Sequence, residues 1–151
     1  ASGDFRKHTR SIKSPTLVVH GNADPLVPSE GGYDIAKLVR GGRGAFFDVA
    51  GDIRRGSPTY GAWVGYELSF DNGLQLLIPE GFLHGFATRA PDTEIIYKCS
   101  DYYAADADGA VAWNSCGIDW GVSGDPILSE KDAAAPALSE FESPFTYEAP
   151  Q

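Results

Sequence analysis

From Ala45 to Cys99 the chain is a succession of short apolar runs separated by turns that carry Gly or Pro, and this rhythm restricts the fold more than any other feature. Ala45–Ala50 (AFFDVA) and Trp63–Leu68 (WVGYEL) are rich in the aromatic and β-branched residues that suit a pleated, half-buried surface. Leu74–Ile78, Gly85–Thr88 and Glu94–Cys99 repeat the theme. Between them stand Arg55-Gly56-Ser57-Pro58, Asp71-Asn72-Gly73, Pro79-Glu80-Gly81 and Ala90-Pro91-Asp92, all turn-forming sequences. Strands this short and this regularly interrupted bury their apolar faces by packing sheet on sheet. The expectation is therefore an all-β antiparallel sandwich or barrel. Asp71-Asn72-Gly73, set between two strands, predicts a hairpin, because Asn and Gly tolerate positive φ.

The flanks are less regular. Residues 1–14 are polar and basic, with Arg6, Lys7, Arg10 and Lys13, and read as loosely ordered or helical. Pro15–His20 is a β-branched run expected to form a buried strand, followed by a Pro/Gly/Asp-rich loop to Gly32. Asp24, beside Pro25, reads as a turn residue. Tyr33–Arg40 is open to helix or strand. Near the other end, Glu130–Glu140 is a short helical candidate before an aromatic-bearing tail. No internal repeat is evident.

Charge and composition exclude several roles. With 12 basic and 21 acidic residues the formal net charge is −9, which argues against a general nucleic-acid binder. No apolar run approaches the roughly 20 residues that span a bilayer, and no signal-peptide pattern opens the chain. The absence of Met reads as a processed, excised or engineered chain. Cys99 and Cys116 are the only cysteines, and without a secretory signal they are expected as reduced thiols in a cytoplasm. His8, His20 and His84 do not stand at ligand spacing from them, so no metal site is expected. After Arg55 only Arg89, Lys98 and Lys131 are basic, which makes each a pointed candidate for an anionic ligand.

Read singly, the chemistry-bearing residues each admit a plain structural role. Tyr97 at strand spacing is a packing residue or a proton donor. His84, between Leu83 and Gly85, is a satisfied structural histidine or a ligand contact. Lys131-Asp132 is an exposed ion pair at a helix start, or part of a site. Ser129 three residues before Asp132 also fits a capping box. Trp113 and Trp120 are expected to pack in the barrel or at a dimer contact.

Taken together, five segments resemble the dTDP-4-dehydrorhamnose 3,5-epimerase family. They are Lys37-Leu38-Val39-Arg40, Phe47–Gly61 (FDVAGDIRRGSPTYG), Ile78–Phe86 (IPEGFLHGF), Tyr97–Tyr103 (YKCSDYY) and Leu128–Asp132 (LSEKD) followed by Pro136. The resemblance implies a cupin-like jelly roll that is dimeric and takes a dTDP-sugar. It implies epimerisation at C3 and C5 of a dTDP-4-keto-6-deoxyhexose through an enolate, a reaction that needs no cofactor. Both C–H bonds flank the carbonyl and are acidified by it, so a base, an acid on the opposite face and a cation for the enolate suffice. By the same resemblance Tyr97 takes the acid position and Asp132 the position that orients the base. Lys37 takes that of the enolate-stabilising or substrate-binding lysine. His84 and Lys131 match substrate- and nucleotide-contacting positions, Tyr103 one beside the nucleotide base, and Asp108 one where the family has Glu.

The first third of the chain departs from that pattern. Ser14–Pro28 resembles the late strand and acid loop of an α/β-hydrolase, yet no G-x-S-x-G elbow is present, so hydrolase activity is not expected. This divides the chain into a fragment, residues 1–36, that is not an independent domain, and an epimerase-like domain, residues 37–151. His20, 17 positions before Lys37 (37 − 20), stands in one of two ways. Either it takes the place of the family's catalytic base on an equivalent strand, or it belongs to the hydrolase-like strand and the base is missing. In the second case the protein is a cupin that binds a sugar nucleotide without turnover, or a chimera without function.

Overall fold

The computed structural model describes residues 17–22 and 37–149. The basic opening stretch, the loop around Asp24 and most of the hydrolase-like segment lie outside the described residues, as do the side chains of His20 and Lys37. Eight strands follow in order: β1 (Leu17–Asn22), β2 (Lys37–Arg43), β3 (Ala45–Asp52), β4 (Trp63–Ser69), β5 (Gln75–Ile78), β6 (Phe82–Thr88), β7 (Glu94–Cys99) and β8 (Asp108–Gly109). They form two antiparallel sheets, a large one in the order β4-β3-β6-β1-β8 and a small one in the order β5-β2-β7. The all-β expectation holds. The stretch open to helix or strand is strand from Lys37 and runs on to Arg43.

The central strand β3 is covered on both faces. Phe46 and Ala50 point toward the small sheet, where they pack with Val39, Leu68 and Ile78, flanked by Leu76, Phe82, Phe86 and Ile95. Phe46 and Phe86 meet edge to face at 6.1 Å, the arrangement that aromatic quadrupoles favour. Phe47 and Val49 point the other way. Against them, and against Ala87 of β6, lies a third layer made by the irregular segment after β8, with Trp113, Ile118, Trp120, Val122 and Leu128. Ile53 and Leu83 extend that layer toward Val111, Leu138, Phe141 and Phe145. Trp113 and Trp120 therefore cover the outer face of the large sheet rather than fill the space between sheets. Partial burial pushes the Cys116 thiol up, and both Cys99 and Cys116 are free.

Two local expectations are corrected. Asp71-Asn72-Gly73 is not a hairpin: β4 pairs with β3 and β5 with β2, so this turn is a corner between sheets. Its chemistry is nevertheless that of a turn. Asn72 Oδ1 accepts from the backbone N–H groups of Ser69 (3.1 Å) and Leu74 (3.0 Å), and Gly73 has φ 61°. Gly41 of β2 packs so closely on the end of β4 that a Cβ there would meet the Ser69 carbonyl carbon at 2.6 Å, which fixes glycine at this crossing. The helical candidate shrinks to one turn, α1 (Glu130–Ala133), and a 3-10 turn, Leu138–Glu140. Pro136 stands between them and cannot continue the helical hydrogen bonds.

β1 is a working member of the large sheet. It lies between β6 and β8, with His20 opposite His84, Gly21 opposite Gly109 and Asn22 opposite Asp108. No helix among the described residues is long and apolar enough to cross a membrane.

Candidate active site

On the face of the large sheet turned toward the small sheet, β3 and β6 bring two polar side chains together among the apolar ones. Asp48 stands opposite Phe86, and His84 opposite Ala50, so the two are diagonal neighbours on one face. His84 Nε2 lies 2.7 Å from Asp48 Oδ1, with Asp48 fully buried and His84 4% exposed. The distance is that of a charge-assisted bond. Asp48 Oδ2 is buried without a hydrogen-bond partner among the described residues. Sequence reasoning reached His84 and missed Asp48, although an acid inside the buried run Phe46-Phe47-Asp48-Val49-Ala50 is the informative kind of exception.

The small sheet contributes Tyr97. It stands opposite Val39, whose side chain is fully buried between the sheets, and antiparallel partners share a face. Tyr97 is 55% exposed, so its ring sits at the open flank of that face, on an edge strand. Lys37 is the first residue of β2, paired with Ile78 and Cys99. The backbone thus brings the Lys37 and Tyr97 positions to one sheet, facing the sheet of His84 and His20.

A second cluster forms where β8 meets α1. The Tyr103 hydroxyl donates to Asp108 Oδ2 at 3.0 Å, and Lys131 Nζ pairs with the same oxygen. The hydrogen bond to this carboxylate pushes the Tyr103 phenol up. Three of the residues singled out from the sequence, Tyr103, Asp108 and Lys131, are thus brought together. The reading of Lys131-Asp132 as an ion pair gives way: Lys131 pairs with Asp108, while Asp132 is 3% exposed. Ser129 does cap α1, its Oγ accepting from the Asp132 N–H at 3.1 Å and donating to Asp132 Oδ2 at 2.6 Å. Asp132 Oδ1 is left buried without a partner among the described residues, on a helical turn that approaches β1. β1 joins the two clusters, with His20 at the first and Asn22 at the second. Among the described residues no three His, Cys, Asp or Glu side chains gather as a metal site would require.

Asp52, at the end of β3, is a polar group of another kind. It takes two bonds from the Arg54 guanidinium (2.9 and 2.7 Å), one from the Arg54 N–H (2.9 Å), one from Ser57 Oγ (2.6 Å) and one from Thr59 Oγ1 (2.7 Å). Burial by itself would raise this carboxyl, but the bonds from Arg54, Ser57 and Thr59 outweigh it and hold the group well below the usual carboxylate range. Every acceptor position is used, so its role is to tie β3 to the turn that follows. An aspartate in the unfolded chain titrates near ~3.9. Its folded value being lower, Asp52 stabilises the fold above about pH 4, and that contribution is lost as pH falls toward the folded value. Thermal unfolding followed from pH 6 down to pH 2 is expected to show this slope, and Asp52→Asn to flatten it while lowering stability at pH 6.

The family model for dTDP-4-dehydrorhamnose 3,5-epimerase matches residues 28–140. The dTDP-4-dehydrorhamnose 3,5-epimerase of Salmonella typhimurium is 52% identical over 106 residues, covering 69% of this chain and 58% of that protein. The enzyme of the same name from Escherichia coli is 42% identical over 136 residues, covering 89% of this chain and 70% of that one. This second match is longer than residues 37–151 and so reaches into the first 36, and the hydrolase-like reading of that fragment finds no support in these matches. A solved dTDP-6-deoxy-D-glucose-3,5-epimerase from Legionella pneumophila, in complex with dTDP-4-keto-L-rhamnose, superposes with a TM-score of 0.76 at 33% identity. That superposition covers 94% of this chain and 78% of the other. The chain spans little more than half the length of the first curated relatives, 58% in two of them.

Proposed function

This chain belongs to the dTDP-4-dehydrorhamnose 3,5-epimerase family, and on that premise we propose that it epimerises C3 and C5 of a dTDP-4-keto-6-deoxyhexose. The observation that carries the proposal is the inner face itself. The Asp48–His84 pair and the strand position of His20 lie on one sheet, and Tyr97 stands on the other, so groups able to take and to give a proton border one space. His20 is the base in this reading, with Asp132 orienting it from α1. An imidazole suits the task because it titrates near working pH. Tyr97 returns the proton from the opposite face, and Lys37 holds the developing enolate oxygen. His84 contacts the sugar. Lys131, Asp108 and Tyr103 form the nucleotide side, where the ammonium meets phosphate and the exposed phenol packs beside the base.

The same reading takes residues 37–151 as the cupin domain. Residues 1–36 are a fragment whose one described strand has no sheet of its own and depends on β6 and β8. The working form is a homodimer, as the family resemblance implies, and in this reading it works in the cytoplasm; exposed Leu38 and Leu77, paired on the outer face of the small sheet, are apolar surface available to the dimer. The reaction needs neither metal nor redox cofactor.

Incubation with the dTDP-4-keto-6-deoxyhexose in deuterated water tests the proposal. The expected result is deuterium at C3 and C5, read by mass spectrometry and proton NMR. Exchange no faster than in buffer, at high protein concentration, would remove the enzymatic reading.

A further inference from the structure

We infer that Asp48 is a positioning residue for His84: it holds the proton of the imidazole on Nε2 and leaves Nδ1 as the ring nitrogen that meets a ligand. The geometry carries this. The 2.7 Å contact joins Nε2, not Nδ1, to Oδ1, and both side chains are at least nine-tenths buried. Water therefore does not compete for the bond. An ionised carboxylate accepts and cannot donate, so the donor in this contact is the ring nitrogen. The ring is also held from the side, since Phe86, two residues along β6, lies 6.0 Å from it and tilted by 45°.

The consequence for recognition rests on the epimerase reading. In this tautomer His84 presents a hydrogen-bond acceptor at Nδ1, and Asp48 Oδ2, buried without a partner among the described residues, is a second acceptor beside it. Two acceptors side by side suit a hydroxyl-bearing ring, and disfavour an anion. His84 thereby selects the hexose part of the ligand, and the phosphates fall to Lys131 at the other cluster.

The test uses the full chain with nitrogen-15-labelled histidine, free of ligand, with the His84 signals assigned by their loss in His84→Gln. The expected spectrum has a protonated Nε2 with a downfield, slowly exchanging proton and a bare Nδ1. In Asp48→Asn, whose carboxamide can meet the ring nitrogen either way round, that downfield proton disappears. Circular dichroism and the remaining spectrum show whether this variant keeps its fold. Affinity for the dTDP-4-keto-6-deoxyhexose, by calorimetry, drops tenfold or more in the variant while affinity for dTDP changes less than twofold. A proton found on Nδ1 in the parent chain would overturn the inference, as would an Asp48→Asn chain with the downfield proton and sugar affinity intact. The tautomer is read without substrate. A chain with the expected spectrum but no deuterium exchange refutes the epimerase reading alone. Exchange accompanied by a proton on Nδ1 refutes this inference alone.

Discussion

Tyr97→Phe is expected to lower epimerisation on the order of 10²–10⁴-fold, the usual contribution of a positioned general acid. It is also expected to do so without unfolding the chain. Tyr97 is 55% exposed on an edge strand, and substitutions at such positions usually change stability by less than about 0.5 kcal/mol. Phenylalanine keeps the ring and removes only the hydroxyl. The informative measurement compares two rates in deuterated water. Abstraction of the proton by the base does not need the phenol, so deuterium uptake falls less than formation of the inverted sugar. The label returns to the face it left. Uptake with retained configuration, at a rate well above inversion, is the signature of a lost opposite-face donor. Inversion at the parent rate would take Tyr97 out of the mechanism. An equal fall of both rates would assign the phenol to binding instead.

The parts of this site that were legible in the sequence are those set by short, local motifs. Tyr97, Tyr103, Lys131 and Asp132 were reached through the runs Tyr97–Tyr103 and Leu128–Asp132, and the β8–α1 cluster gathers Tyr103 and Lys131 around Asp108. What local motifs do not encode is which strand lies beside which. Asp48 is 36 residues from His84, and only the register of β3 on β6 makes them partners. The buried state of Asp132 escaped for a similar reason, because Lys131-Asp132 looks like a surface pair until the turn is laid against β1.

The same division runs through the fold. Period-two runs and Gly/Pro turns gave nearly all the strands from Ala45 to Cys99, since pleat periodicity and turn chemistry are local properties. Pairing is not local. Asn72 and Gly73 make the turn their chemistry demands, and the strands leaving it join different sheets. The long stretch after β8 has little repetitive structure and therefore little periodic signal. Its aromatic residues, Trp113, Trp120, Phe141 and Phe145, were the available hint that it is a layer and not a tail.

That layer gives the largest expected effect on stability. Trp120 is 3% exposed and packs on Val49 and Ala87 with its ring edge-on to Phe47 at 6.4 Å. Its Nε1–H donates to the Trp113 carbonyl at 2.9 Å, so the side chain also fastens the segment to itself. Trp120→Ala removes the apolar contact, opens a cavity against the outer face of β3 and β6, and leaves the Trp113 carbonyl short of a donor. Truncations of this kind cost about 3–5 kcal/mol. For a chain of this length that corresponds to roughly 6–20 °C in Tm, since each kcal/mol shifts the midpoint by about 2–4 °C. Tyr102→Ala is the matched control, because Tyr102 is 89% exposed and its loss is expected to change stability by less than about 0.5 kcal/mol. Thermal and urea unfolding of the three chains side by side make the comparison. If Trp120→Ala and Tyr102→Ala unfold together, the segment after β8 rests on the sheet without supporting it, and the jelly roll must draw its stability from the space between its two sheets alone.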